Sequence, residues 1–171
     1  MIIFLVGMMG SGKTTLGRQL AAQLQHPFVD LDTFLEQREG RTIAQLFAQE
    51  GQERFRALER QALEAVVREH AQAVVSTGGG APCFFDNMEY MSRHGKTFFL
   101  DVPVAEICKR LSASDLQVRP LLAGKTEEEV MLFLVETLNH RRQFYQRADA
   151  TVQGAGITSA QLEQLLNNNQ A

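Results

Sequence analysis

An α/β domain with a five-stranded parallel sheet and helices on both faces is the fold the sequence predicts, and three observations predict it. Short apolar runs recur without polar alternation, as strands buried on both faces of a parallel sheet do. Segments of helical period lie between them, so each strand returns to the sheet through a crossover helix. The first strand-to-helix junction is rich in glycine, in the spacing that wraps a backbone around an anion.

Ile2–Val6 is the first apolar run, followed by Phe28-Val29, Ala73–Ser76, Thr97–Leu100 and a weaker Ala150–Val152. Leu16, Leu20 and Leu24 repeat at i, i+4 and i+8 and mark the first helix. Phe55, Leu58, Leu63 and Val66 follow the same period loosely, and Val130, Leu134 and Leu138 mark a later helix. Three helix starts carry the capping-box spacing: Thr42 with Gln45, Thr126 with Glu129, and Thr158 with Gln161. Roughly eight helices are expected in all. The whole chain, 1–171, reads as one domain, with a core of 1–30, 71–111 and 126–171. Residues 31–70 form a helical insertion, and 112–125, with Pro120 and Gly124 but few periodic apolar positions, reads as a lid.

Composition narrows the function. The 171 residues hold 17 Lys and Arg against 20 Asp and Glu, a net charge of −3, with 44% hydrophobic and 22% charged residues. That is an ordinary soluble domain, with no charge excess favouring nucleic acid or an anionic membrane. The apolar opening Met1–Met9 is too short to span a bilayer and lacks the pattern of a secretory signal. Cys83 and Cys108 form no metal-ligand spacing and read as reduced thiols, which points to the cytoplasm.

Gly7-Met8-Met9-Gly10-Ser11-Gly12-Lys13-Thr14 matches G-x-x-x-x-G-K-[ST] between a buried strand and an amphipathic helix. Such a loop points successive N–H groups at a polyphosphate, backed by the positive end of the helix. Lys13 is expected to reach the β- and γ-phosphates, and the Thr14 hydroxyl to ligate Mg²⁺. No N-K-x-D sequence accompanies the loop, so ATP is favoured over GTP.

Asp30 and Asp32 close the second strand at i and i+2, and on an extended chain they would point to one side. One can hold Mg²⁺ through water while the other orients or deprotonates an acceptor hydroxyl. The alternative is a solvated strand end with Asp32 capping a helix from Thr33. Asp101 also ends a strand; Val102-Pro103 and a helix follow it, which favours a structural role. Thr77-Gly78-Gly79-Gly80 ends the third strand where a backbone approaches a ligand closely, or merely forms a flexible turn. Arg56, with Glu53 and Glu59 three residues to either side, Arg119 in the lid and Arg141 beyond it are candidate anion ligands. Spacing alone does not separate them from Arg54, Arg60, Arg142 and Arg147.

Taken together, Gly7–Thr14, Asp30-x-Asp32, Phe55-Arg56, Thr77–Gly80, Arg119-Pro120-Leu121-Leu122 and Arg141 resemble the shikimate kinases, a nucleoside-monophosphate-kinase-like group of P-loop proteins. The motifs occur in the family's order from position 7 to 145. The resemblance implies a three-layer P-loop NTPase fold with strand order 2-3-1-4-5. It implies Mg²⁺-dependent transfer of the ATP γ-phosphoryl group to the 3-hydroxyl of shikimate by a monomer. It further implies catalytic roles for Lys13, Asp32 and Arg119, and nucleotide contacts from Gly10, Ser11, Gly12, Lys13, Thr14, Thr15, Arg110 and Arg119. Asp32, Arg56, Gly78, Gly79, Gly80 and Arg141 would hold shikimate, and Thr14 and Asp30 would hold Mg²⁺. Family members often carry a basic residue near adenine after the last strand. Here that stretch reads Gln153-Gly154-Ala155-Gly156, which leaves backbone contacts. The rival readings are another small-molecule kinase, such as a gluconate kinase, and a non-catalytic ATP-binding module.

Overall fold

The structure is a computed structural model, and it describes residues 1–111 and 121–168. Five strands, β1 (Ile2–Val6), β2 (Phe28–Asp30), β3 (Ala73–Ser76), β4 (Gly95–Asp101) and β5 (Ala150–Gln153), form one sheet. The order is β2-β3-β1-β4-β5 and every pairing is parallel. This is the order that the family resemblance implies.

β1 shows why its sequence is apolar throughout. Ile2, Phe4 and Val6 enter one core, with Leu46, Leu63, Tyr145 and their neighbours, while Ile3 and Leu5 enter another, with Leu20, Phe98 and Leu162. A strand with period-2 side chains and a core on each face has no solvent side to mark with polar residues.

Seven α-helices lie among the described residues: α1 (Lys13–Leu24), α2 (Leu31–Glu39), α3 (Ile43–Glu69), α4 (Asn87–His94), α5 (Val104–Arg110), α6 (Glu127–Tyr145) and α7 (Ser159–Asn168). A 3₁₀ turn spans Ala81–Cys83. All three expected capping boxes form, each with both reciprocal bonds. Residues 31–70, read from the sequence as a helical insertion, hold α2 and α3, and α3 is interrupted at Gly51, whose φ of 77° breaks the helical path. Of the expected lid 112–125, positions 112–120, Arg119 included, lie outside the described residues. Residues 121–125 form a turn closed by Lys125 N–H to the Leu122 carbonyl, with Leu122 buried.

One corner of the sheet depends on a single carboxylate. Asp149 Oδ2 accepts from both the backbone N–H and the hydroxyl of buried Thr97, at 2.8 and 2.9 Å, fastening the start of β5 to β4. Asp149→Ala strands two buried donors. It should cost about 2 kcal/mol and lower Tm by several degrees without changing any substrate KM. Calorimetry with steady-state kinetics checks both halves, and an unchanged Tm would contradict the first.

Candidate active site

The cleft lies at the carboxyl ends of β1, β2 and β3, where ligands of open parallel sheets bind. It encloses about 350 Å³ and is lined by Gly10, Gly12, Lys13, Thr14, Thr15, Asp30, Asp32, Thr77, Gly78 and Gly79, among others. Many of the residues singled out from the sequence therefore share one cavity.

On one side stands the phosphate loop. Gly10 and Gly12 have φ of 72° and 91°, a region that side-chain-bearing residues avoid, so the loop can curl back over the start of α1. No side chain caps α1, and its first N–H groups stay available to an anion. Lys13, only 8% exposed, donates from Nζ to the Gly7 and Met8 carbonyls, both at 2.8 Å, and is thereby held inside the loop's curve. Arg110 bridges this loop to the stretch after β5. Its guanidinium donates to the Gly10 carbonyl at 3.3 Å and to the Ala155 carbonyl at 2.5 Å, and Glu106 holds Nε. Arg110 thereby places a cation from α5 beside the stretch Gln153–Gly156.

The paired acids converge, but by a different route from the one expected. Asp30 ends β2 and is itself the N-cap of α2, its Oδ1 accepting from Thr33 N–H at 3.1 Å. Asp32 lies in the first turn of α2, so the chain between them is not extended and Asp32 caps nothing. A strand-to-helix turn brings both into the cleft. Thr14 Oγ1 donates to Asp30 Oδ2 at 3.2 Å and lies 3.5 Å from Ser76 Oγ. That cluster of hard oxygens suits Mg²⁺, which takes few protein ligands beside substrate phosphates. Burial raises the Asp32 carboxyl above its ordinary range, and the Asp30 charge raises it further, against an opposing pull from Lys13.

On the other side is the glycine run, and its reason is space. A Cβ on Gly78 would stand 3.0 Å from Asp32 Oδ1 and 3.3 Å from Glu59 Oε1. One on Gly79 would stand 3.0 Å from Arg141 Nη1, and one on Gly80 would collide with the Arg56 guanidinium. None of the three has a positive φ. They are glycine because four charged side chains fill the volume that side chains would need.

Arg56 is fixed from several directions. Nη1 donates to Glu59 Oε2 at 2.7 Å, and the guanidinium lies over Phe84 at 4.2 Å and Phe55 at 5.0 Å from the ring centres. Its Nε is buried and has no hydrogen-bond partner among the described residues. Glu59 is 1% exposed, and burial pushes its carboxyl up to about 7 even with Arg56 beside it. The competing arginines are used elsewhere: Arg54 on Glu50, Arg60 on Glu64 and Asp86, Arg142 on Asp101, and Arg147 on Glu89. Asp101, held by both nitrogens of Arg142 at 2.8 and 3.1 Å, has the structural role expected of it. Sequence reasoning named Glu59 only as a neighbour of Arg56. Its burial was signalled by an acid among Phe55, Leu58, Ala62 and Leu63 on the apolar face. Phe84 carried no comparable signal.

Known proteins with these features agree with one another. Residues 9–168 match the family model described as shikimate kinase. A shikimate kinase from Phocaeicola vulgatus is 52% identical over 146 residues, 85% of this chain and 82% of its own. One from Bacteroides fragilis is 50% identical over 147 residues, 86% of this chain and 81% of its own. Among solved structures, a shikimate kinase from Bacteroides thetaiotaomicron superposes with a TM-score of 0.91 at 42% identity, covering 97% of this chain and 98% of that one. A shikimate kinase from Acinetobacter baumannii in complex with shikimate gives 0.87 at 33%, covering 98% and 93%.

Glu59 makes the site's stability depend on pH. Its folded carboxyl titrates near 7 rather than at 4.5, so its contribution is complete below about 4.5 and is lost as pH rises through about 7. Glu59→Gln removes this dependence. The Tm of the native protein minus that of the variant should therefore fall between pH 5 and pH 8; a difference that stays constant would contradict the shift.

Proposed function

The chain belongs to the shikimate kinase family, and we propose that its cleft transfers the γ-phosphoryl group of ATP to the 3-hydroxyl of shikimate, giving shikimate 3-phosphate and ADP. The observation that carries the assignment is the meeting of two guanidinium groups and two carboxylates on a side-chain-free loop beside the phosphate loop. A polyhydroxylated acid needs cations for its carboxylate and acceptors for its hydroxyls, and this half of the cleft offers both.

In this reading Arg56 and Arg141 grip the carboxylate, the unpartnered Arg56 Nε taking one of its oxygens. Gly78, Gly79 and Gly80 let the ring lie against backbone. Asp32 orients the acceptor hydroxyl, and its raised basicity suits it to take the proton as the new O–P bond forms and the bond to ADP breaks. Lys13 leaves the Gly7 and Met8 carbonyls for the phosphates, assisted by Gly10, Ser11, Gly12, Thr14 and Thr15, with Arg110 at the base. Thr14 and Asp30 would hold Mg²⁺, which supplies charge neutralisation to the phosphates when bound. Arg119 is assigned to the phosphates by the family resemblance, at the end of a lid over 112–125. Catalysis is then positioning, charge stabilisation and exclusion of water.

The enzyme is taken to act as a monomer, as the family resemblance implies. Cys83 and Cys108 are free thiols, in keeping with the cytoplasm. No helix among the described residues is long and apolar enough to cross a membrane.

A coupled ADP-release assay over shikimate, gluconate, AMP and CMP tests the substrate. Release should depend on shikimate alone, and equal rates with and without it would overturn the proposal. In the same assay Lys13→Ala and Asp32→Asn should each lower kcat by about 10³-fold or more. Arg56→Ala should instead raise the shikimate KM by about 10- to 100-fold, the loss of a charged hydrogen bond. Arg119→Ala should lower mainly kcat; a change in shikimate affinity alone would refute its role.

A further inference from the structure

We propose that Tyr145 is the positioning residue of the acceptor half-site: its hydroxyl locks the Gly79 peptide, against which the Arg141 guanidinium lies. The inference deepens the reading above and rests on it.

Tyr145 is the last residue of α6 and is fully buried. Its ring packs against Phe99, with centroids 5.0 Å apart. Phenylalanine would fill that space equally well, so the hydroxyl is explained only by what it bonds. It donates to the Gly79 carbonyl at 2.6 Å and lies 3.9 Å from Met8 Sδ in the phosphate loop. One hydroxyl thus touches the loop on the acceptor side and the loop on the nucleotide side.

Three features make this contact functional. First, Gly78, Gly79 and Gly80 have no side chains to anchor them, so the conformation of that backbone must be set from outside, and Tyr145 reaches it across 66 residues of sequence. Second, a trans peptide points its C=O and N–H in opposite directions. Holding the Gly79 carbonyl against the phenol turns the Gly80 N–H away from it. Third, Arg141 lies one helical turn earlier on α6, the i, i+4 relation that puts both side chains on one face. Its Nη1 stands 3.0 Å from where a Gly79 Cβ would be, so it lies against the peptide that the phenol holds. A guanidinium and a phenol therefore converge on one peptide, and of the three the sequence analysis missed only the phenol. Burial pushes the phenol pKa upward, so the hydroxyl remains a donor at any working pH.

Tyr145→Phe keeps the packing and removes the lock. Steady-state kinetics should show the shikimate KM raised about 5- to 20-fold, with the ATP KM and kcat within about twofold. Asp149→Ala, destabilised at a distance from the cleft, is the reference and should move neither KM. An unchanged shikimate KM, or both KM values rising together, would overturn the proposal. A second measurement needs no change at Tyr145. The chain has two tyrosines, Tyr90 and Tyr145. In 3-fluorotyrosine-labelled protein, with Tyr90→Phe for assignment, saturating shikimate without nucleotide should shift the Tyr145 ¹⁹F resonance and leave that of Tyr90 in place. A Tyr145 resonance that does not move refutes the lock even if the Phe variant fails to fold. Absence of shikimate-dependent ADP release by the native enzyme would overturn the parent reading instead, and this inference with it.

Discussion

The charged groups of the acceptor side reach the cleft across glycine. Asp32 and Glu59 crowd Gly78, Arg141 crowds Gly79, and Arg56 occupies the space beside Gly80. Three missing side chains just after β3 allow two cations and two anions to gather around one short loop. The neighbouring architecture follows from that concession. The bare loop needs an external anchor, which α6 provides through Tyr145. It must also lie beside the phosphate loop, which the β3-β1 pairing ensures.

Bringing four charges together under partial burial creates an electrostatic tension that the site uses. Desolvation disfavours every ionised group it covers, so the two carboxyls rise: Asp32 through burial and Asp30, Glu59 through burial against the pull of Arg56. A carboxylate with raised basicity is better suited to a hydroxyl proton than an ordinary one. A partly protonated Glu59 also leaves Arg56 with unneutralised charge for an incoming acid. Lys13, occupied by its own loop's carbonyls, is poised in the same sense, held near where phosphates would bind. The net charge of −3 over the whole chain conceals this local concentration of cations.

What the sequence disclosed follows the range of the interactions concerned. Strands, the three boxed helix starts and the phosphate loop depend on near neighbours and were legible: the uninterrupted run at Ile2–Val6, Thr126 with Glu129, Gly7 to Thr14. That Asp30 and Asp32 face one cleft was legible, but their geometry was not, because the N-cap was read at Asp32 while the helix begins at Leu31 with Asp30 as its cap. The glycine run was read as a place where a backbone approaches a ligand or merely turns, whereas the room it leaves for side chains from α2, α3 and α6 is a tertiary fact. The arginines show the limit most clearly. Arg142 is removed from candidacy by Asp101, 41 residues away, and no spacing rule reaches so far. Tyr145 was hidden for the same reason.

The central claim is that this half-site reads a carboxylate through two guanidinium groups while reading hydroxyls through acids. It is tested most directly by comparing kcat/KM for shikimate with that for its methyl ester, which keeps every hydroxyl and loses the charge. The account predicts a fall of about 10²-fold or more for the ester, carried mainly by KM, as two charge-assisted contacts are weakened together. Equal kcat/KM for acid and ester would contradict it.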